Sequence, residues 1–209
     1  MPAADRADVV RRARQLLGRT ITGHGVTVRI TEVEAYGGRE DPASHAFTRT
    51  PRSEIMYGPA YRLYVYRSYG IHLCANVVTG PAEIGAAVLL RSGEVVDGLD
   101  LARLRRHHPA KDVQLARGPG NLAQALGITL DDLGTDLLAP HADEEEFTGV
   151  RLGPATRARR QVEQGPRVGV SKAADVPWRF WLAGDPTVSA YRRSPRAPAP
   201  GTTLPAREH

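Results

Sequence analysis

Val26-Thr27-Val28-Arg29-Ile30-Thr31-Glu32-Val33-Glu34-Ala35-Tyr36 has the two-residue rhythm of a β-strand. Read as one regular strand, it puts Val26, Val28, Ile30, Glu32, Glu34 and Tyr36 on one face and Val33 and Ala35 on the other. Glu32 and Glu34 then sit roughly 6.5–7 Å apart along that face. Two like charges so close are expected to spread their pKa values, giving one better base and one better acid. A solvated strand face is the plainer reading of the same pattern.

Outward from this strand, residues 5–18 carry Val9, Val10, Ala13, Leu16 and Leu17 at helical spacing, with Gly18 as a stop. Residues 37–62 hold glycines, prolines, Asp41, His45 and several arginines, and a loop of that length in a compact domain is usually functional. Residues 62–78 read as a β-hairpin turning at Gly70. Ala86–Arg91 is nearly continuous in apolar residues and reads as a buried strand. Leu99–Arg106 and Gly120–Leu126 look helical, and Val168–Val170 and Arg179–Leu182 read as late strands. Residues 1–193 are expected to form one domain. The patternless Pro, Ala, Thr and Arg stretch 194–209 is expected to be a disordered tail.

Composition narrows the classes of function. The 209-residue chain carries a formal charge of +5 and a pI near 9.7, which suits a polyanionic partner. Its arginines are spread along the chain, as on a broad basic face. The single cysteine, Cys74, excludes an internal disulfide and CxxC zinc sites, and reads as a small buried hydrophobe. Neither a secretory signal nor a membrane-length apolar run is visible, so a soluble, non-secreted protein is expected. Five of the seven tyrosines, Tyr57, Tyr61, Tyr64, Tyr66 and Tyr69, fall within thirteen residues. They could pack a hairpin core. Tyr69, however, adjoins the turn glycine, where a core residue has nothing to pack on. A large aromatic there is a candidate wedge between DNA bases, and strand tyrosines can stack on a base.

Thr31–Tyr36, Asp41-Pro42-Ala43-Ser44-His45 and Leu63–Gly70 together resemble the alkyladenine (3-methyladenine or methylpurine) DNA glycosylase family. Asn76, Ala87–Arg91, Gly118–Leu126, Arg167–Val170 and Pro177–Phe180 continue the resemblance in the same order, over roughly residues 8 to 190. It implies an α+β fold: one mixed domain with a curved, mainly antiparallel sheet, outer helices and a protruding hairpin. It also implies a monofunctional glycosylase that flips alkylated or deaminated purines (the 3-methyladenine, 7-methylguanine, hypoxanthine and ethenoadenine class) from duplex DNA and hydrolyses the N-glycosidic bond. Glu34 would activate the attacking water, and Arg91 would help hold that water or the sugar phosphate. Tyr36 would stack on one face of the base, and His45 and Tyr66 on the other. Asn76 would disfavour normal guanine, Tyr69 would fill the gap in the duplex, and Met56 and Arg167 would lie at the DNA surface. No cofactor or metal is implied, the working unit would be a monomer, and the location would be the cytoplasm or nucleoid in a prokaryote and the nucleus in a eukaryote. The two lysines, Lys111 and Lys172, lie outside the motifs, which disfavours a Schiff-base lyase.

Two other classes fit parts of the pattern. A carbohydrate glycosidase would use Glu32 and Glu34 near the lower end of the inverting separation, but gains nothing from a basic pI. A non-catalytic minor-groove lesion-binding module would use the hairpin, but gains nothing from the two carboxylates.

Overall fold

The strand that bears Glu32 and Glu34 sits at the middle of the sheet. The computed structural model describes residues 3–140, 148–155 and 161–200. Its helices are α1 (Ala3–Leu16), α2 (Leu99–Arg105) and α3 (Pro119–Leu126). Its strands are β1 (Arg19–Gly23), β2 (Val26–Gly37), β3 (Leu63–Ser68), β4 (His72–Thr79), β5 (Ala86–Asp97), β6 (Ala116–Arg117), β7 (Val150–Ala155), β8 (Val162–Gly165) and β9 (Arg179–Leu182). The order across the sheet is β3-β4-β5-β2-β1-β7, with β6 added to β5 and β9 added to β2 and β8. Every named pair is antiparallel. The expected α+β domain with a mainly antiparallel sheet is what forms. No helix among the described residues is long and apolar enough to cross a membrane.

The regular alternation expected for β2 breaks at its centre. Against β5, Ile30 pairs with Gly93 and Glu32 with Ser92, so Thr31 is an extra residue on β2. Val33 then pairs with Leu90, which makes Arg91 an extra residue on β5. These opposed bulges correct the single-face reading. Val26, Val28 and Ile30 share the apolar core with Val33 and Ala35, and not with the glutamates. Beyond the bulge Glu32, Glu34 and Tyr36 are turned to the opposite face. Gly93 sits where β2 presses closest: a Cβ there would strike Val28 and the Arg29 carbonyl.

The core face is covered by α1, through Val9, Ala13 and Leu16, and by α3, through Leu122, Ala125 and Leu126. Each buried aliphatic side chain contributes ~1.5–3 kcal/mol. Pro119 opens α3 and Gly127, at φ 71°, closes it. From β3 and β4, Leu63, Val65, Ala75 and Val77 join the same core. Their alternates, Tyr64, Tyr66, Cys74 and Asn76, therefore face the other way.

That second face is roofed by the segment 38–58. The expected loop contains three short 3-10 turns, Gly38–Glu40, His45–Phe47 and Glu54–Tyr57. The Tyr57 hydroxyl donates to the Ala46 carbonyl at 2.7 Å. Val168–Val170, expected as a strand, is irregular. Of the expected tail, residues 194–200 are described, with Ala197 N–H donating to the Ser194 carbonyl at 3.0 Å. Residues 201–209 lie outside the described residues.

Candidate active site

Sheet register assembles the site. Tyr64 on β3 pairs with Asn76 on β4, Asn76 with Leu89 on β5, and Leu89 with Glu34 on β2. One transverse row thus runs Tyr64–Asn76–Leu89–Glu34. Tyr66 pairs with Cys74 on one side of it, and Ala87 with Tyr36 on the other. Strands lie ~4.8 Å apart, so β3 and β2, which bear Tyr66 and Tyr36, stand about 14 Å apart across the sheet. Asn76, Cys74, Ala87 and Leu89 floor the space between them. The resulting cavity holds about 530 Å³, inside the ~300–1,000 Å³ range of small-ligand pockets.

Of the residues expected in the site, the structure brings eight to this cavity: Glu34, Tyr36, His45, Met56, Tyr66, Tyr69, Asn76 and Arg91. Glu34 is fully buried. Its Oε2 accepts from the Tyr36 hydroxyl at 2.8 Å, and its Oε1 accepts from Val168 N–H at 2.7 Å. Arg91 Nη1 stands 3.3 Å from the same Oε1. These donors fix the carboxylate in one orientation at the cavity wall. Burial, and then the Glu34 charge beside it, pushes the Tyr36 phenol far up, so it stays a donor.

The aromatic wall opposite is equally specified. His45 and Tyr66 meet edge to face with centroids 4.5 Å apart. His45 Nδ1 is 2.9 Å from the Tyr64 hydroxyl. Although the residue lies at the exposed rim, partial burial of its ring, and then the nearby Arg52 charge, lower its pKa to about 4. The imidazole is therefore neutral at pH 7. Burial raises the Tyr66 phenol and the Cys74 thiol alike, so both keep their protons. Asn76 Nδ2 donates to the Tyr64 carbonyl at 3.1 Å, which sets the amide's orientation on the floor.

The hairpin tip rises at the edge of this cavity. The Ile71 N–H donates to the Ser68 carbonyl at 3.0 Å around Tyr69 and Gly70. Both turn residues have positive φ, 48° and 71°, the conformation that matches the twist of paired strands. Tyr69 is 91 % exposed and Ile71 70 %.

Two expectations change. Arg167 is not at the surface: it is 1 % exposed, and Nη1 and Nη2 meet the Asp41 carboxylate at 2.5 and 2.9 Å. Nη1 also donates to the Ala35 carbonyl at 3.0 Å, and the guanidinium lies 4.8 Å from the Tyr36 ring centroid. It supports Tyr36 from behind and delivers the next residue's N–H to Glu34. Met56 is also buried, in a small cluster with Ala46, Tyr57 and Tyr64, and meets the cavity from its roof.

Sequence reasoning missed three participants. Arg52 lines the cavity, with its guanidinium 5.1 Å from the Tyr66 ring. Arg179 and Ser189 both bond Glu32, the carboxylate behind Arg91. Arg179 lay in a noted motif without a role. Ser189 follows the last strand and carries no periodic signal. The two glutamates do not face each other bare, as the like-charge argument assumed, because Arg91 bridges them. Burial works to raise the Glu32 carboxyl, but Arg91 and Arg179 outweigh it and hold it below its usual range.

Comparison with known proteins gives this arrangement a family. A protein of Nocardia farcinica is 55 % identical over 196 residues, covering 91 % of this chain and 90 % of its own length. One from Mycobacterium bovis (strain BCG / Pasteur 1173P2) is 52 % identical over 202 residues, covering 94 % and 96 %. One from Mycobacterium sp. (strain KMS) is 50 % identical over 202 residues, covering 94 % and 95 %. All three carry the name "Putative 3-methyladenine DNA glycosylase". The sequence profile described as methylpurine-DNA glycosylase matches residues 3–186, and with nearly the whole chain so matched, the protein belongs to the methylpurine-DNA glycosylase family and is a DNA glycosylase.

Proposed function

We propose that this glycosylase flips alkylated or deaminated purines, of the 3-methyladenine, 7-methylguanine, hypoxanthine and ethenoadenine class, out of duplex DNA into the cavity and hydrolyses their N-glycosidic bond. The observation that carries this reading is the Glu34 carboxylate, fully buried yet lining an aromatic-walled cavity, with its orientation fixed by Tyr36, Val168 and Arg91.

A base inside a duplex is out of reach, so it must leave the stack. Unstacking costs a few kcal/mol, least where a lesion already weakens pairing. Stacking of ~1–3 kcal/mol per base offsets part of that, with Tyr36 on one side and Tyr66 and neutral His45 on the other. Tyr69 fills the vacated gap from the minor groove. Glu34 takes a proton from the water that attacks the anomeric carbon, its charge steadies the developing sugar cation, and the electron pair of the broken C–N bond leaves on the base. Arg91 helps place that water or the sugar phosphate. Asn76, held by the Tyr64 carbonyl, meets the exocyclic amine of a normal guanine and disfavours it. The cavity is walled by one chain, so a monomer suffices, acting where the DNA lies.

The test is chromatography of free bases released from methylated and inosine-containing duplexes, with Glu34→Gln beside the wild type. The wild type should release free base, and the variant should lose ~10²–10⁴-fold in rate while still binding lesion DNA. Release by both proteins would move the base elsewhere. Lesion binding without release by either would make the cavity a recognition site only.

A further inference from the structure

Glu32 lies behind the reacting groups and does not line the cavity. Even so, it is the more heavily bonded of the two carboxylates. Its Oε1 accepts from Arg91 Nε at 3.0 Å, Arg179 Nε at 2.6 Å and the Ser189 hydroxyl at 2.9 Å. Its Oε2 accepts from the Ser92 hydroxyl at 2.9 Å and Ser189 N–H at 2.7 Å. Arg91 turns one edge to this carboxylate and sets Nη1 3.3 Å from Glu34. Arg91 Nη2 donates to the Ser189 hydroxyl at 3.2 Å, and Arg179 Nη2 to the Ser189 carbonyl at 2.7 Å. The bulges at Thr31 and Arg91 are what bring these groups onto one face.

Two consequences follow for Glu34. The first is geometric: Arg91 has its Nε and Nη2 held, so Nη1 reaches Glu34 at a fixed angle. The second is electrostatic: Glu32 and Glu34 balance Arg91 and Arg179, two charges of each sign. Were Glu32 neutral, Glu34 would face an uncompensated cationic pair, and a weaker base would result.

We propose that Glu32, clamped by Ser189 of the segment after β9, is a positioning residue that aims Arg91 and keeps enough of its charge engaged for Glu34 to remain an effective base. The proposal rests on the reading of Glu34 as the base. Other groups facing Glu34 are Tyr36 on its own strand, Tyr66 on β3, Cys74 on β4 and Arg167 beside Val168. The two phenols and the thiol are all raised, so they stay neutral at and below pH 7, and Arg167 is spent on Asp41.

The experiment is steady-state excision kinetics against pH for the wild type, Glu32→Gln, Glu32→Asp, Ser189→Ala and Glu34→Gln. Glu32→Gln keeps the shape and removes the charge. Its acid limb should move to lower pH by about one unit, with kcat down ~10–100-fold. Glu32→Asp keeps the charge and spoils the aim, so kcat falls while the acid limb stays in place. Ser189→Ala should lower kcat ~3–10-fold with KM unchanged. An unmoved acid limb in Glu32→Gln would overturn the proposal, since a purely structural role lowers melting temperature without moving the limb. If Glu32→Gln is insoluble, Ser189→Ala decides: wild-type kcat overturns the proposal. Activity surviving in Glu34→Gln, with its acid limb in place, would instead overturn the reading of Glu34 and the proposal with it.

Discussion

At the scale of single residues, the site is built from side chains whose protonation is set by their surroundings. His45 is the one with a readout in solution. Its pKa is about 4 in the folded protein against an ordinary 6.5. Between those values the unfolded chain binds a proton that the folded chain does not, so stability rises with pH across that window and is level below it. The wild type should therefore lose melting temperature from pH 6.5 to 4.5 more steeply than His45→Gln, as calorimetry at matched ionic strength will show. Parallel slopes would mean that His45 titrates normally. This environment was hidden in the sequence, where His45 is one histidine in a long loop; its partners Tyr64 and Tyr66 arrive from β3. Arg167 was misplaced for the same reason, because its partner Asp41 lies 126 positions away and no local pattern links the two.

At the scale of elements, the hairpin and the helices were legible because their signals are local. Gly70 sits in the turn, Tyr69 is at the tip as placed, and α1 follows the spacing of its buried residues. The tip makes a direct prediction. Tyr69 is 91 % exposed, so Tyr69→Ala removes almost no packing. Melting temperature should stay within a degree or two, while lesion-duplex affinity falls by ~5-fold, the lower end of one lost stacking contact. Fluorescence anisotropy on a lesion duplex measures this, and unchanged affinity would remove the wedge role. The late segment was legible only in part. Arg179–Leu182 forms a strand as its pattern implied. Val168–Val170 does not, because the Val168 N–H is spent on Glu34 and not on a neighbouring strand.

At the scale of the whole molecule, charge and sheet division matter most. One face of the sheet is closed by α1 and α3, and the other, beneath the segment 38–58, holds the cavity. A net charge of +5 is then available to meet a phosphate backbone. Arg52 and Arg67 both line the cavity and are exposed at its rim, beside the hairpin. Duplex affinity should fall log-linearly with salt at a slope of about −0.9 per phosphate neutralised, giving a slope of about −2 or steeper if both engage. Titrations from low to moderate salt test this, and a flat response would rule out a backbone-binding face. Individual strands and helices were recoverable from alternation and turn residues, and their α+β arrangement from the family resemblance. The cavity was not, because it depends on which of two faces the helices cover.

The paired bulges at Thr31 and Arg91 carry a consequence for how such a gene can change. Losing one codon between Ile30 and Glu32 would restore an even rhythm to the strand. The two faces would survive it: Val28, Ile30, Val33 and Ala35 would still alternate toward the helices, and Glu32 and Glu34 toward the cavity. A lineage can therefore lose a residue at this bulge and keep both faces of the strand, whereas the same loss inside either regular run sets one half of the alternation against the other.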